Sequence, residues 1–151
     1  AKHLAQGETV LDVGSGGGVP GVVLAIVRPD LVLTLSESVG KKARVLNEIV
    51  AELGLPVRVF HGRAEDLLAR ERFDTLVIRA VARLAKLLQW FGPHADRFTR
   101  LLLVKGPSWV DERGEARHLG LMRELALRKL DDYTIAATGA QSVILQIQRK
   151  S

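Results

Sequence analysis

The stretch that decides the fold is Asp12-Val-Gly-Ser-Gly-Gly-Gly-Val-Pro-Gly21. The apolar run Thr9-Val-Leu11 precedes it, and the equally apolar segment 22–27 follows it. This order predicts a strand that enters a glycine loop and a loop that enters a buried helix. Glycine lets the backbone turn tightly and approach a ligand where a Cβ atom would collide. The segment therefore predicts a nucleoside-bearing cofactor at the carboxyl end of the first strand.

Two glycine patterns overlap in this loop. Gly14, Gly16 and Gly18 follow the acidic Asp12, whereas Gly16, Gly18 and Gly21 have the dinucleotide spacing G-x-G-x-x-G. The dinucleotide pattern normally begins where the strand ends, and its third glycine position would here hold a valine. S-adenosylmethionine carries an ammonium and a sulfonium cation, and an acid just before the first glycine suits both. The register therefore favours S-adenosylmethionine over a nicotinamide cofactor.

Length and composition limit the classes of protein that the chain can be. With 151 residues it is expected to be a single domain over residues 1–151. The absence of cysteine excludes disulfides and thiolate metal sites and favours a reducing, cytoplasmic location. No apolar run approaches the ~20 residues of a membrane span, so we expect no membrane contact. We also expect a monomer, and a missing segment upstream of Ala1.

The chain is basic, with 22 Lys and Arg against 17 Asp and Glu and a net charge of +5. Such an excess serves either solubility or an anionic partner. The cations group near the strand ends that frame the glycine loop, which favours a phosphate-rich partner. The three groups are Lys41, Lys42 and Arg44; Arg79, Arg83 and Lys86; and Arg97, Arg100 and Lys105.

Strand and helix patterns alternate along the chain, which predicts an α/β fold with a mostly parallel sheet. The last two strands have no helix between them and are expected to form an antiparallel hairpin. The predicted strands are Thr9–Val13, Leu31–Leu35, Val57–Phe60, Phe73–Ile78, Leu101–Val104, Tyr133–Ala137 and Ser142–Gln148. The predicted helices are Pro20–Val27, Lys41–Leu53, Glu65–Ala69, Arg83–Phe91 and Glu112–Lys129.

Further acidic residues follow the second and third strands. A carboxylate at Glu37 suits both ribose hydroxyls, although an ordinary solvated loop acid is the alternative. The backbone of Ala64 and Glu65 suits the edge of an adenine ring, although Glu65 also fits a helix N-terminus favoured by the dipole. The cofactor-binding residues that we predict are Asp12, Gly14, Ser15, Gly16, Gly18, Glu37, Ala64 and Glu65.

Longer stretches of the chain resemble a known family. The most specific are Gly-Val-Pro-Gly at 18–21, Ser-Val-Gly-Lys-Lys at 38–42 and Arg-Ala at 79–80. With the glycine loop they are similar to the GidB/RsmG family, the bacterial 16S ribosomal RNA guanine-N7 methyltransferases. Further similarity covers residues 25–29, 33–37, 62–65, 73–78 and 105–106.

The resemblance implies a seven-stranded, Rossmann-like methyltransferase fold. It also implies S-adenosylmethionine as donor and a guanosine of 16S ribosomal RNA, free or in the small subunit, as acceptor. By position, Arg79 would be the catalytic residue at the active face, and Lys41 and Lys42 would contact RNA phosphates. Glu37 stands where the family more usually has Asp, which lengthens the ribose contact by one methylene.

The residues after the fourth strand suit attack by a ring nitrogen. Guanine N7 has a free lone pair and no proton to lose, so no general base is required. Arg79 is expected to bind a phosphate or guanine O6, because a fork across O6 and N7 would block the reacting atom. Lys105 and Trp109 are further predicted RNA contacts, Trp109 by stacking on a base. Trp90 is expected in the core, with base stacking as the alternative.

Other functions stay open at this point. The same fold serves small-molecule methyltransferases, and a non-catalytic cofactor- or RNA-binding module also fits the sequence. A nicotinamide-dependent oxidoreductase is disfavoured, because the chain leaves no room for a substrate domain. A metal site is not expected, because the spacing of His3, His61, His94 and His118 suits none.

Overall fold

Seven strands and five helices lie within the residues that the computed structural model describes, namely 2–14, 21–79 and 82–150. The strands are β1 (Thr9–Val13), β2 (Val32–Glu37), β3 (Arg58–His61), β4 (Phe73–Arg79), β5 (Phe98–Lys105), β6 (Leu125–Ile135) and β7 (Ala140–Arg149). The helices are α1 (Gly21–Val27), α2 (Gly40–Glu52), α3 (Ala64–Leu68), α4 (Leu84–Phe91) and α5 (Trp109–His118), and a 3-10 turn (Gly92–Arg97) follows α4.

The strands form one sheet in the order β3-β2-β1-β4-β5-β7-β6. Strands β1 to β5 run parallel to one another, and β7 pairs antiparallel with both β5 and β6. The predicted α/β fold and its closing hairpin are therefore confirmed. The strand order reverses beside β1, and in such sheets a crevice opens above the carboxyl ends of the strands at that point.

Both faces of the sheet are covered, so its central strands are apolar in continuous runs rather than in alternation. Val10 and Leu35 belong to the core cluster beneath α1 and α2. Leu11, Leu76 and Leu103 belong to the cluster that packs with α3, α4 and α5. Because neighbouring residues of one strand point to opposite faces, Val10 and Leu11 join different layers.

The predicted helix over Glu112–Lys129 is wrong in its second half. The helix ends at His118, Gly120 adopts a positive φ of 76°, and β6 begins at Leu125. From there β6 pairs along the whole length of β7, with one irregularity between Lys129 and Asp131. Cross-strand hydrogen bonds outweigh the helical spacing of the leucines, because local propensity is a weak preference that tertiary contacts override.

Two of the basic residues lie at the opposite edge of the sheet from the one predicted. Arg100 hydrogen-bonds Thr75 Oγ1 at 3.0 Å and pairs with the buried Glu8 at 3.2 Å, beneath the amino end of β1. Arg97 immediately precedes β5 and lies at the same amino edge. The expectation that Arg97 and Arg100 frame the glycine loop is therefore wrong. Within the described ranges, none of the helices combines the length and apolar character that crossing a membrane requires.

Gly21 marks the tightest approach between a helix and the sheet. A Cβ atom added there would lie inside van der Waals contact of Asp12 Oδ2 and Leu35 Cδ2. We expect Gly21→Ala to lower the free energy of unfolding by about 1–3 kcal/mol, the usual cost of overpacking. Urea denaturation followed by circular dichroism measures this change.

Gly114 supplies the matched control, because an added Cβ there meets no atom within 4 Å. It lies inside α5, so Gly114→Ala is expected to raise the free energy of unfolding by about 0.5–1 kcal/mol through helix propensity. Equal effects of the two substitutions would contradict the close packing of α1 on β1.

Candidate active site

A cleft of about 260 Å³ opens at the carboxyl ends of β1, β2 and β3. Three chain segments and one helix meet there. The strand ends contribute Val13, Gly14, Ser36 and Ser38; the loop into α3 contributes Gly62, Arg63, Ala64 and Glu65; and α4 contributes Trp90 and Phe91. The structure thus brings Gly14, Ala64 and Glu65, which were predicted from separate parts of the sequence, to one cleft.

Gly14 turns the chain out of β1 at the edge of the cleft. Its φ of 74° lies in the left-handed region, which glycine adopts without a Cβ penalty. Its N–H donates to Ser36 O at 3.0 Å, and Ser36 Oγ donates to Asp12 O at 2.9 Å. The turn is therefore held against β2 by both backbone and side chain.

Glu37 lies beside the cleft rather than in its wall. Its carboxylate is buried and accepts the Val39 N–H at 3.0 Å through Oε2. Alternation along β2 places it on the same face as Leu35, whereas Ser36 and Ser38 face the cleft. A carboxylate oxygen has two lone pairs, so the Val39 bond leaves Glu37 acceptor capacity at the end of β2.

Asp12 is also buried, on the α1 side of the sheet. Its carboxylate packs against Gly21 at the described start of α1, and Leu35 packs against the same glycine. Negative charge is favoured near the first turn of a helix. Asp12 thus lies between the end of β1 and α1, on the other face of the sheet from Ser36.

The loop between β3 and α3 approaches the cleft through backbone. The Gly62 N–H donates to Glu37 O at 2.9 Å, which joins this loop to the end of β2. A Cβ atom at Gly62 would lie 2.6 Å from the ring of Phe60. Ala64 is buried and Glu65 is partly exposed at the start of α3.

Sequence reasoning missed several residues of the cleft wall. Ser36 and Ser38 could have been found from the alternation of β2, because they flank Glu37. Phe91 is buried, whereas Trp90, which was expected in the core, is 38% exposed and lines the cleft. The helical spacing of Trp90 gave no signal for that position, which depends on where α4 packs.

Three of the predicted RNA contacts are exposed cations at the carboxyl edge. Arg79 is the last residue of β4, and its side chain is exposed. Lys41 and Lys42 are exposed in the first turn of α2, directly after β2. Because parallel strands end at the same edge, all three residues lie on the side of the sheet where the cleft opens.

Lys105 lies at the same edge but has a different environment from the one expected of an RNA contact. Its ammonium is buried, donates to Ala82 O and lies 2.9 Å from Glu112 Oε1. Glu112 also accepts the Leu84 N–H at 2.9 Å and the Ser108 hydroxyl at 3.0 Å. Lys105 is therefore a structural residue that joins β5 to the start of α4, and its charge is not presented to a phosphate.

Pairing with Lys105 also keeps the Glu112 carboxyl ionised. Burial opposes ionisation of Glu112, but hydrogen bonds from the Lys105 ammonium and the Leu84 N–H outweigh it. The pKa of the Glu112 carboxyl is consequently held below its ordinary value. The carboxylate stays ionised and joins the loops after β4 and β5.

Trp109 begins α5 and packs partly against the core. The Arg113 guanidinium lies 4.9 Å from the centre of its ring, within the range of a cation–π contact. A base that stacks on Trp109 would therefore share the indole with Arg113. Its role as an RNA contact stays a prediction.

Some predicted residues lie outside the part of the chain that the structure describes. These are Ser15, Gly16 and Gly18 of the glycine loop. Ala80 and Val81, which follow Arg79, also lie outside it. Among the residues that are described, no group of three or more His, Asp or Glu side chains is arranged to hold a metal ion.

Comparison with known proteins relates this chain to a family. Residues 1–137 match the model of GidB, described as rRNA small subunit methyltransferase G. Ribosomal RNA small subunit methyltransferase G of Rhodopirellula baltica is 48% identical over 168 aligned positions, which cover 100% of this chain and 73% of that protein. The protein of the same name from Mycobacterium marinum is 47% identical over 119 positions, covering 77% of this chain and 52% of its own length.

The fold is shared more widely than the sequence. The crystal structure of an rRNA methylase from Streptococcus thermophilus superimposes with a TM-score of 0.66 at 15% identity. That match covers 99% of this chain and 91% of the other. At such low identity the likeness concerns the fold alone.

The buried ion pair of Lys105 and Glu112 leads to a prediction about stability. We expect Glu112→Gln to lower the free energy of unfolding at neutral pH by about 3 kcal/mol, because it leaves the Lys105 ammonium buried without a counter-charge. Urea denaturation measures the difference. Glu115→Gln on the same helix is the control, since its partner Arg83 lies 3.3 Å away in an exposed pair worth less than about 1 kcal/mol.

The same variant has a predicted pH dependence. Because the folded-state pKa of Glu112 is lowered, its stabilisation is present above the ordinary carboxyl pKa and is lost as pH falls through the folded value. The difference between the wild-type protein and Glu112→Gln should therefore stay constant from pH ~7 down to ~4.3, the ordinary pKa of a glutamate carboxyl, and shrink at lower pH. A difference that grows on acidification would contradict the pairing.

Proposed function

The chain belongs to the GidB family of rRNA small subunit methyltransferase G proteins, and on that premise we propose that it methylates N7 of a guanosine in 16S ribosomal RNA with S-adenosylmethionine as donor. The principal support is the cleft above the reversal in strand order, found in a chain 48% identical to a curated methyltransferase. The chain spans about half, 52%, of the Mycobacterium relative. For this reason the activity and the substrate of the whole protein are proposals.

The residues around the cleft suit an adenosine-containing cofactor. Gly14 turns the backbone away at a positive φ, so that no Cβ stands at the mouth of β1. Glu37 ends β2 with acceptor capacity for ribose hydroxyls. The backbone of Ala64 and Glu65 lines the part of the cleft assigned to the base. Asp12 is assigned to the cationic end, which it would influence through its charge from the α1 side.

The proposed reaction requires no proton transfer by the protein. When bound, S-adenosylmethionine supplies a methyl group on a sulfonium, whose sulfur leaves with the electrons of the C–S bond. Guanine N7 forms the new N–C bond with its lone pair and loses no proton. The chain must therefore hold N7 in line with the methyl group, at roughly 3–3.5 Å, and exclude water. That task requires neither a histidine nor a cysteine.

Arg79 is the residue proposed to position the acceptor. It is exposed at the end of β4, next to the end of β1 where the cleft opens. A contact to guanine O6 or to the adjacent phosphate leaves N7 open, whereas a fork across O6 and N7 would cover it. Lys41 and Lys42 on α2 are proposed to neutralise RNA phosphates at the same edge. We further propose that the protein acts as a cytoplasmic monomer on 16S ribosomal RNA, free or in the small subunit.

Transfer of a tritiated methyl group to a panel of acceptors tests the function. We expect incorporation into small ribosomal subunits or naked 16S ribosomal RNA, released on digestion as 7-methylguanosine. Labelled small nucleosides with unlabelled RNA would instead indicate a small-molecule methyltransferase. Binding of S-adenosylhomocysteine in calorimetry without transfer to any acceptor would indicate a non-catalytic module.

The role of Arg79 is tested with a matched pair of arginines. Arg79→Ala is expected to lower methyl transfer at saturating cofactor by ~10- to 100-fold, the range for loss of one well-placed arginine contact to a base. Arg128→Ala is the control, because Arg128 is exposed on the edge strand β6, at the far side of the sheet from the cleft. Wild-type turnover by Arg79→Ala would exclude the positioning role.

A further inference from the structure

Trp90 occupies a defined place in the wall of the cleft. It lies near the end of α4 and lines the cleft together with Ala64 and Glu65. Helix α3, which begins with these two residues, packs against the 3-10 turn that directly follows α4. Trp90 therefore stands on the α3 side of the cleft, which is the side assigned to the adenine ring.

We infer that the indole of Trp90 forms the wall against which the adenine of the cofactor packs. This inference rests on the proposed function and names a residue for its cofactor site. An indole offers a large, flat apolar surface, and a purine stacks on such a surface whatever its substituents. Val13, Ala64 and Phe91 are the other apolar residues around the same cleft, so the base would enter an apolar environment.

A purely structural role would bury Trp90 more deeply. Its neighbour Phe91 is 1% exposed, whereas Trp90 keeps 38% of its surface accessible. Trp90 also lines a second groove, which runs between α4 and α5 beside Lys86 and Gln89. The indole thus lies between the cleft and an outer groove. Part of its surface is accessible and can contact a ligand.

Lys86 restrains the orientation of the Trp90 indole. Its ammonium lies 5.8 Å from the centre of the Trp90 ring, one turn earlier on the same helix. A cation held near the π-face is attracted by the quadrupole of the ring. Phe91 anchors the end of α4 in the core, and Lys86 lies near the indole on the same helix.

Fluorescence provides a direct test, because the chain has two tryptophans. Trp109→Phe leaves Trp90 as the only tryptophan, and we expect S-adenosylhomocysteine and adenosine to change its emission saturably. Trp90→Phe leaves Trp109, whose emission should change little. An equal response from both variants, or no response from Trp90, would overturn the inference.

Affinity provides the second measurement. Trp90→Leu is expected to weaken binding of both ligands by about tenfold in calorimetry, the effect of losing one aromatic platform for a base. Trp90→Phe keeps an aromatic face and should bind within about threefold of the wild type. Circular dichroism checks that both variants fold, and the Trp109→Phe titration decides the question if Trp90→Leu does not.

The outcomes separate this inference from the proposed function. If the wild-type protein binds S-adenosylhomocysteine and Trp90→Leu binds it equally well, the role of Trp90 is overturned and the proposed cofactor stands. If the wild-type protein binds neither ligand, the proposed cofactor and the role of Trp90 fail together.

Discussion

The pairing of β1 with a parallel strand on each side is the constraint on which the rest of the structure depends. β1 is in register with β2 over Thr9–Val13 and with β4 over Val10–Val13. The chain covers one face of the sheet with α1 and α2 and the other with α3, α4 and α5. Because the strand order reverses beside β1, no crossover covers its carboxyl end, and the cleft opens there.

Carboxylates that accept backbone N–H groups tie neighbouring segments together at both edges of this sheet. At the amino edge, Thr9 and Asp74 exchange two hydrogen bonds of 2.9 Å, and the bonds from Thr9 lower the pKa of the Asp74 carboxyl. At the carboxyl edge, Lys105 and Glu112 tie the loop after β4 to the loop after β5. In both places a carboxylate accepts a backbone N–H, and at the buried Glu112 this bond offsets part of the cost of burial. Ala82 and the start of α4 are thus anchored to β5 and α5.

Much of the fold followed from local signals. The apolar runs of β1 to β5 and the glycine loop placed the alternation of strands and helices. Gly54, with a φ of 64°, follows the end of α2, where a glycine commonly closes a helix. The second half of the helix predicted over Glu112–Lys129 failed because leucines at helical spacing also fit a strand that is partly buried along one face. Only the partner β7, which comes later in the chain, decides between the two.

The sequence by itself determined the fold class, the edge of the sheet where the cleft opens and the family to which the chain is similar. These depend on short-range pattern and on motifs whose residues are adjacent in the chain. The tertiary structure alone decided that Lys105 is paired with Glu112 and that Trp90 faces the cleft. Both facts depend on how α4 and α5 pack on the sheet, and a side chain's partner across such a packing leaves no trace in its own neighbours along the chain.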